Sequence, residues 1–193
     1  MAVPVTVVVA LLILGGAVLA FNGLVRRRTR TAEAWSQIDV ELERRHDLIP
    51  NLVETVEGYA SHESATFEAV TAARAGAVEA RATEEPLAVG HAEKALTTSL
   101  RSLFAVAEGY PQLRAVESYL RLQEELTATE DKLEFARRYY NTSARDYDIA
   151  LRTFPRNLLA RSLGFTPVSF FEADETDRQV PQVGAAGRGS AAI

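Results

Sequence analysis

The sequence predicts an all-α protein: an N-terminal transmembrane helix followed by an antiparallel bundle of three to four long helices. Three observations carry that prediction. The first 25 residues hold no charged side chain, and arginines then arrive at positions 26, 27, 28 and 30. Glycine and proline are sparse between Leu24 and Phe154. The apolar residues of that stretch keep heptad spacing, which belongs to packed helices, and not the alternation of strands.

Residues 3–21 read VPVTVVVALLILGGAVLAF, with Thr6 the lone polar side chain. About 20 apolar residues at 1.5 Å rise cross a hydrocarbon core of roughly 30 Å. No basic residue precedes this run, and it is too long for the apolar core of a secretory signal, so a retained anchor is expected over a cleaved leader. The cluster Arg26, Arg27, Arg28 and Arg30 resists translocation. It places the protein in the cell membrane as a single-pass chain, with the N-terminus outside and the following domain cytoplasmic. The same collar suits anionic lipid headgroups.

Three heptad series follow. Trp35, Leu42, Ile49 and Val56 recur every seven residues, beside Ile38, Leu52 and Tyr59. Val89, Leu96, Leu103 and Tyr110 form the second, supported by Ala92, Ser99 and Val106. Tyr119, Leu126, Leu133, Tyr140, Tyr147 and Phe154 form the third, beside the mostly small seam Leu122, Thr129, Ala136, Ser143 and Ala150. Large knobs next to small residues admit a close neighbouring helix. Pro86 starts one helix, Gly109-Tyr110-Pro111 ends it, and Phe154-Pro155 closes the longest, which begins near Gln112. Apolar spacing runs through Pro50, predicting a kink there, and through Gly58, so the first bundle helix is expected to reach from near Arg30 to near Ala82. A short helix from Asn157 to Leu163 precedes aromatics at Phe165, Phe170 and Phe171 that fold back onto the bundle. The tail from about Asp174 lacks apolar periodicity and is expected to be disordered. The chain thus divides into an anchor at 1–25, a bundle at 26–171 and a tail at 172–193.

Composition narrows the function. With no cysteine there is no thiolate nucleophile, disulfide or cysteine metal site. Formal net charge is −5, and the chain outside the four collar arginines stands at −9, a poor match for nucleic acid. Glu43 and His46 make one E-x-x-H, half of a bundle di-iron motif. The second half is missing, because Tyr59 stands three residues before His62 and Ala88 three before His91. His46 is therefore read as a surface or interhelical hydrogen-bonding residue. No metal, cofactor or catalytic residue is assigned, and the protein is expected not to be an enzyme.

The most unusual stretch is Arg44-Arg45-His46-Asp47-Leu48-Ile49-Pro50-Asn51. Arg45 falls on the seam between Ile38 and Leu52. It either reaches solvent along its stem or forms a buried ion pair with a facing helix, Glu130 being the first candidate partner. Glu130, Arg137 and Asn141 sit on successive turns beside the long helix's seam, as solvated or paired side chains or as a docking ledge. Arg45, His46, Asp47, Pro50, Glu130, Arg137 and Asn141 are the candidate interaction or register residues. Trp35 lies about 20 Å along the helix beyond Phe21, past the headgroups, and is read as a core knob.

Residues 34–63, AWSQIDVELERRHDLIPNLVETVEGYASHE, closely resemble the signature of the LemA family. The likeness continues through residues 107–113 (AEGYPQL), 122–130 (LQEELTATE) and 136–141 (ARRYYN), and on to Phe154-Pro155 and Gly164-Phe165. Asp131 and Asp148 stand where the family usually has asparagine. The resemblance implies a bacterial, N-terminally anchored membrane protein with a helical-bundle domain, and brings no catalytic residues. The function read from the sequence is a non-enzymatic interaction or scaffold module at the membrane surface. Its partners are expected to be membrane lipids and an unidentified protein, with self-association permitted by exposed heptads. The alternative is a lipid- or small-molecule-binding bundle, with a cavity at the small seam Thr129-Ala136-Ser143-Ala150.

Overall fold

The computed structural model describes residues 2–171, with side chains from Val5 onward. The expected disordered tail lies outside the described residues. Every regular element among them is helical: α1 (Ala2–Glu57), α2 (Ser64–Ala82), α3 (Pro86–Glu108), α4 (Pro111–Arg114), α5 (Glu117–Arg152) and α6 (Arg156–Ser162).

The apolar span and the first bundle helix are one rod. Arginine is a good helix former, and neither glycine nor proline interrupts residues 24–49, so α1 runs through the collar for 56 residues, or about 84 Å. Side chains at 5–16 are all exposed, as lipid-facing residues are, and burial begins at Ala20 and Leu24. Pro50 lies inside α1 without ending it.

The first bundle helix does not continue to Ala82. It stops at Glu57, and residues 58–63 reverse the chain into α2. The heptad register fails at this point: Tyr59, its next seam residue, is half exposed, while Ala60 is buried. Gly58 costs the helix about 1 kcal/mol relative to alanine. Reversal instead lets Phe67 and Val70 of α2 join Ile49, Leu52 and Val56 in one core cluster. Tertiary burial outweighs the local pattern. Similarly, the helix expected from Gln112 is split, with α4 and α5 separated at Ala115 and Val116.

Paired contacts fix the directions. Arg81 bonds Asp39 and Arg74 bonds the His46 carbonyl, so α2 runs antiparallel to α1. Arg45 meets Glu93 on α3 and Glu130 on α5, while Trp35 meets Tyr140, so α3 is parallel to α1 and α5 antiparallel. The result is an up-down-up-down bundle of four long helices, in which α5 lies closely along α1. The α2–α3 hairpin covers only the part of α1 above about Trp35. Nearer the membrane, α6 and the extended residues 166–171 take its place.

Candidate functional site

Two regions hold the candidate residues: a polar node inside the bundle and a groove on its outer face. The node begins with Pro50. A proline has no N–H, so the carbonyl four residues earlier loses its helical donor. That carbonyl belongs to His46, and Arg74 of α2 donates to it through Nε at 2.7 Å. An arginine from the neighbouring helix thereby satisfies the group that Pro50 leaves open.

Around this point the buried side chains of Arg45, His46 and Glu93 are paired across helices. Arg45, 4% exposed, donates through Nη1 to Glu93 Oε2 at 3.2 Å and through Nη2 to Thr97 at 2.9 Å. The same Nη1 lies 3.1 Å from Glu130 on α5. His46 Nε2 donates to the other Glu93 oxygen at 2.6 Å, leaving Nδ1 without a partner. Glu93 is fully buried and divides its carboxylate between the two neighbouring side chains of α1. Thr97 also donates to the Glu93 carbonyl, at 2.9 Å. Three helices are thus tied at one level by charge-assisted bonds, each stronger than a neutral pair.

Of the two sequence readings of Arg45, burial in an ion pair is the one found, and its deeper partner is Glu93, with Glu130 on the rim. The heptad reading missed Glu93 because it assigned the companion seam of α3 to Ala92, Ser99 and Val106. Those are half-buried. The deep positions are Glu93, Leu100 and Ala107, four residues after each knob instead of three. A glutamate at 93 in that 4-and-3 pattern was the available signal. Asp47 and Pro50 are exposed on α1. Arg137 and Asn141 hold the chain's return: the Arg137 guanidinium stands 5.0 Å over the Phe171 ring, and Asn141 exchanges two 2.9 Å bonds with the Phe171 backbone.

Trp35 is half-buried against Tyr140 and Phe171, at 5.4 and 6.0 Å between ring centroids. The Tyr140 hydroxyl donates to the Ser169 carbonyl at 2.7 Å. Burial, with a smaller push from Glu85, raises its pKa to about 12, so it remains a donor at neutral pH. Ser169 also donates to Glu85 in the α2–α3 turn, at 3.1 Å. Residues 166–171 therefore strap α1, α5 and the hairpin turn together.

The outer groove lies between α1 and α5, on the face away from the node. It has a volume of about 560 Å³ and is lined by Val40, Glu41, Asp131, Lys132 and Phe135 among others. Val40 is 59% exposed and Phe135 66%, and Tyr139 lies one turn further along α5. Glu41 holds one carboxylate oxygen there without a hydrogen-bond partner. The small seam of α5 is buried, with Ala136 and Ala150 in the clusters that α5 makes with α1. Its small side chains admit the close approach of α1.

The profile of the LemA family matches residues 34–184. The chain belongs to the LemA family. Magnetosome protein MamQ 2 of Paramagnetospirillum magneticum is 27% identical over 86% of this chain and 70% of its own length. Magnetosome protein MamQ of Magnetospirillum gryphiswaldense is 26% identical with the same coverage. Protein LemA of Metamycoplasma hominis is 26% identical over 81% of this chain and 71% of its own. The LemA match begins at Ala34, one residue before Trp35 and well past the apolar part of α1. Node and groove both fall within it. Of the two aspartates singled out in the sequence, Asp148 pairs with Arg152 one turn on, at 3.1 Å, and Asp131 is exposed on the groove wall. This LemA protein is membrane-associated, helical and related to bacterial proteins.

Proposed function

We propose that this protein is a non-enzymatic docking module, carried by a single span with its N-terminus outside and its bundle on the cytoplasmic side. Its ligand is an amphipathic helix of a partner protein, laid into the groove between α1 and α5. The observation that carries this reading is the pair Val40 and Phe135. They face one another across the groove, and both are mostly exposed. Two helices flanking an apolar trough make the shape that an amphipathic helix fills. Glu41, with its unpartnered oxygen, and Asp131 favour lysine or arginine on the flank of that helix. The polar node supports the reading by holding α1, α3 and α5 in a fixed register, which keeps the groove preformed.

The test is site-specific photocrosslinking in intact cells, with the reactive side chain placed in turn at Val40, Phe135, Glu63 and Ser102. The expected outcome is one discrete adduct to the same protein from positions 40 and 135, absent from 63 and 102. Phe135→Asp abolishes it without changing the melting temperature. Equal adducts at all four positions, or an adduct that survives Phe135→Asp, would defeat the proposal. An adduct to a second copy of the chain would make the groove a homodimer surface instead.

A further inference from the structure

The lower end of the bundle carries an apolar surface that neither the node nor the groove uses. Phe154, Leu158 and Leu163 are 76, 61 and 53% exposed, all within ten residues at the α5–α6 corner. In water this is the wrong place for three large apolar side chains.

The position of the corner supplies the reason. Helix α6 packs on α1 between Ala20 and Leu24: Leu24, Ala150 and Ala160 share one cluster, and Arg156 lies over Gly23, its Nε 3.6 Å from where a Cβ would stand. Gly164, at φ +72°, turns the chain after α6, and the Phe165 amide bonds back to the Ala160 carbonyl at 3.0 Å. That turn sets the Phe165 ring edge-on to Phe21, at 5.9 Å. Ala20 and Phe21 belong to the last turn of the apolar span, and the first arginine comes at 26. The corner is therefore held at the depth where α1 enters the lipid.

We propose that the α5–α6 corner is a second membrane contact, resting on the reading of α1 as a span. Phe154, Leu158 and Leu163 enter the boundary between headgroups and acyl chains beside α1, continuing its apolar surface sideways. Arg26, Arg28, Arg30 and Arg161, all exposed, meet anionic headgroups around them. Of the nearby acids, Asp148 is engaged by Arg152. A helix alone lets its domain swing about the span. A second contact fixes the tilt and seats the bundle on the bilayer, which orients the α1–α5 groove.

The cysteine-free chain makes the test direct. The full-length protein is spin-labelled at one of Leu12→Cys, Leu158→Cys, Leu163→Cys or Ser102→Cys. It is then reconstituted in nanodiscs of phosphatidylcholine with phosphatidylglycerol. Collision rates with oxygen, which partitions into lipid, and with an aqueous nickel chelate give each label's depth. The labels at 158 and 163 are expected about 5–10 Å inside the headgroup boundary, with that at 12 deep in the core and that at 102 in water. In a Phe154→Ser, Leu158→Ser background a label at Leu163→Cys moves to aqueous exposure while the helical signal is unchanged, since both replaced side chains are exposed. Lipid exposure at 12 together with full nickel accessibility at 158 and 163 overturns the second contact and leaves the span intact. Nickel accessibility at 12 as well overturns the span itself. Protection at 158 and 163 from both oxygen and nickel, with spin–spin broadening, assigns the surface to another copy of the chain and also overturns the proposal.

Discussion

The upper and lower halves of the bundle are held together by different physics. Above Trp35, four helices surround an interior that contains a guanidinium, an imidazole and a carboxylate, each nearly or fully buried. Below it, two long helices, the short α6 and an extended strap close around rings and small side chains: Trp35, Tyr140 and Phe171, then Leu24, Ala150 and Ala160. Hydrocarbon packing is non-directional and tolerates sliding, whereas a carboxylate shared by two donors fixes one axial register. The upper half therefore specifies alignment, and the lower half supplies closure next to a bilayer.

The largest expected effect comes from breaking the node. Glu93→Ala leaves His46 buried without its acid and Arg45 with only the rim carboxylate of Glu130, and should cost about 3–5 kcal/mol in denaturant unfolding of the full chain in micelles. Glu43→Ala, which removes only an exposed contact to Arg81 at 3.1 Å, should cost about 0–1 kcal/mol. Equal losses would show that the node sets no register. In the lower half, Phe171→Ala should cost about 3 kcal/mol and release the strap, read as faster proteolysis between residues 163 and 171. The Arg74–Pro50 coupling is smaller. Arg74→Ala should cost about 1–2 kcal/mol in the native background and markedly less beside Pro50→Ala, which restores the helical donor to the His46 carbonyl. A double-mutant cycle measures the difference.

A small effect is expected for Tyr140→Phe, about 1 kcal/mol at neutral pH through the lost bond to Ser169. It has its own pH signature. The folded pKa is raised, so the folded chain holds the phenolic proton longer than the unfolded chain does. That stabilisation is complete below about pH 10, the ordinary tyrosine value, and is lost as pH rises through about 12. Unfolding curves between pH 9 and 12 should fall less steeply for Tyr140→Phe than for the native chain.

Much of this was legible in the chain. The apolar run ending at Phe21 and the knobs from Leu126 to Tyr147 answer to local rules of hydrophobicity and period: the run is helical with exposed side chains, and the knobs are buried. Arg45 was legible as a charge on an apolar seam, but its partner was not. Glu93 sits 48 residues away, and no spacing rule connects two helices across a bundle. The strap was visible as a pair of phenylalanines, yet only the fold shows that Asn141 clasps the backbone of one of them.

By itself the sequence determined helix, span and heptad core, because these depend on side-chain polarity counted along a single strand of backbone. Only the tertiary structure decided that α1 turns back at Gly58, that Arg74 serves the carbonyl Pro50 leaves open, and that Phe135 remains uncovered. Those outcomes depend on which surfaces meet in space. That is set by the total burial and pairing of all the helices at once, and no window of residues contains it.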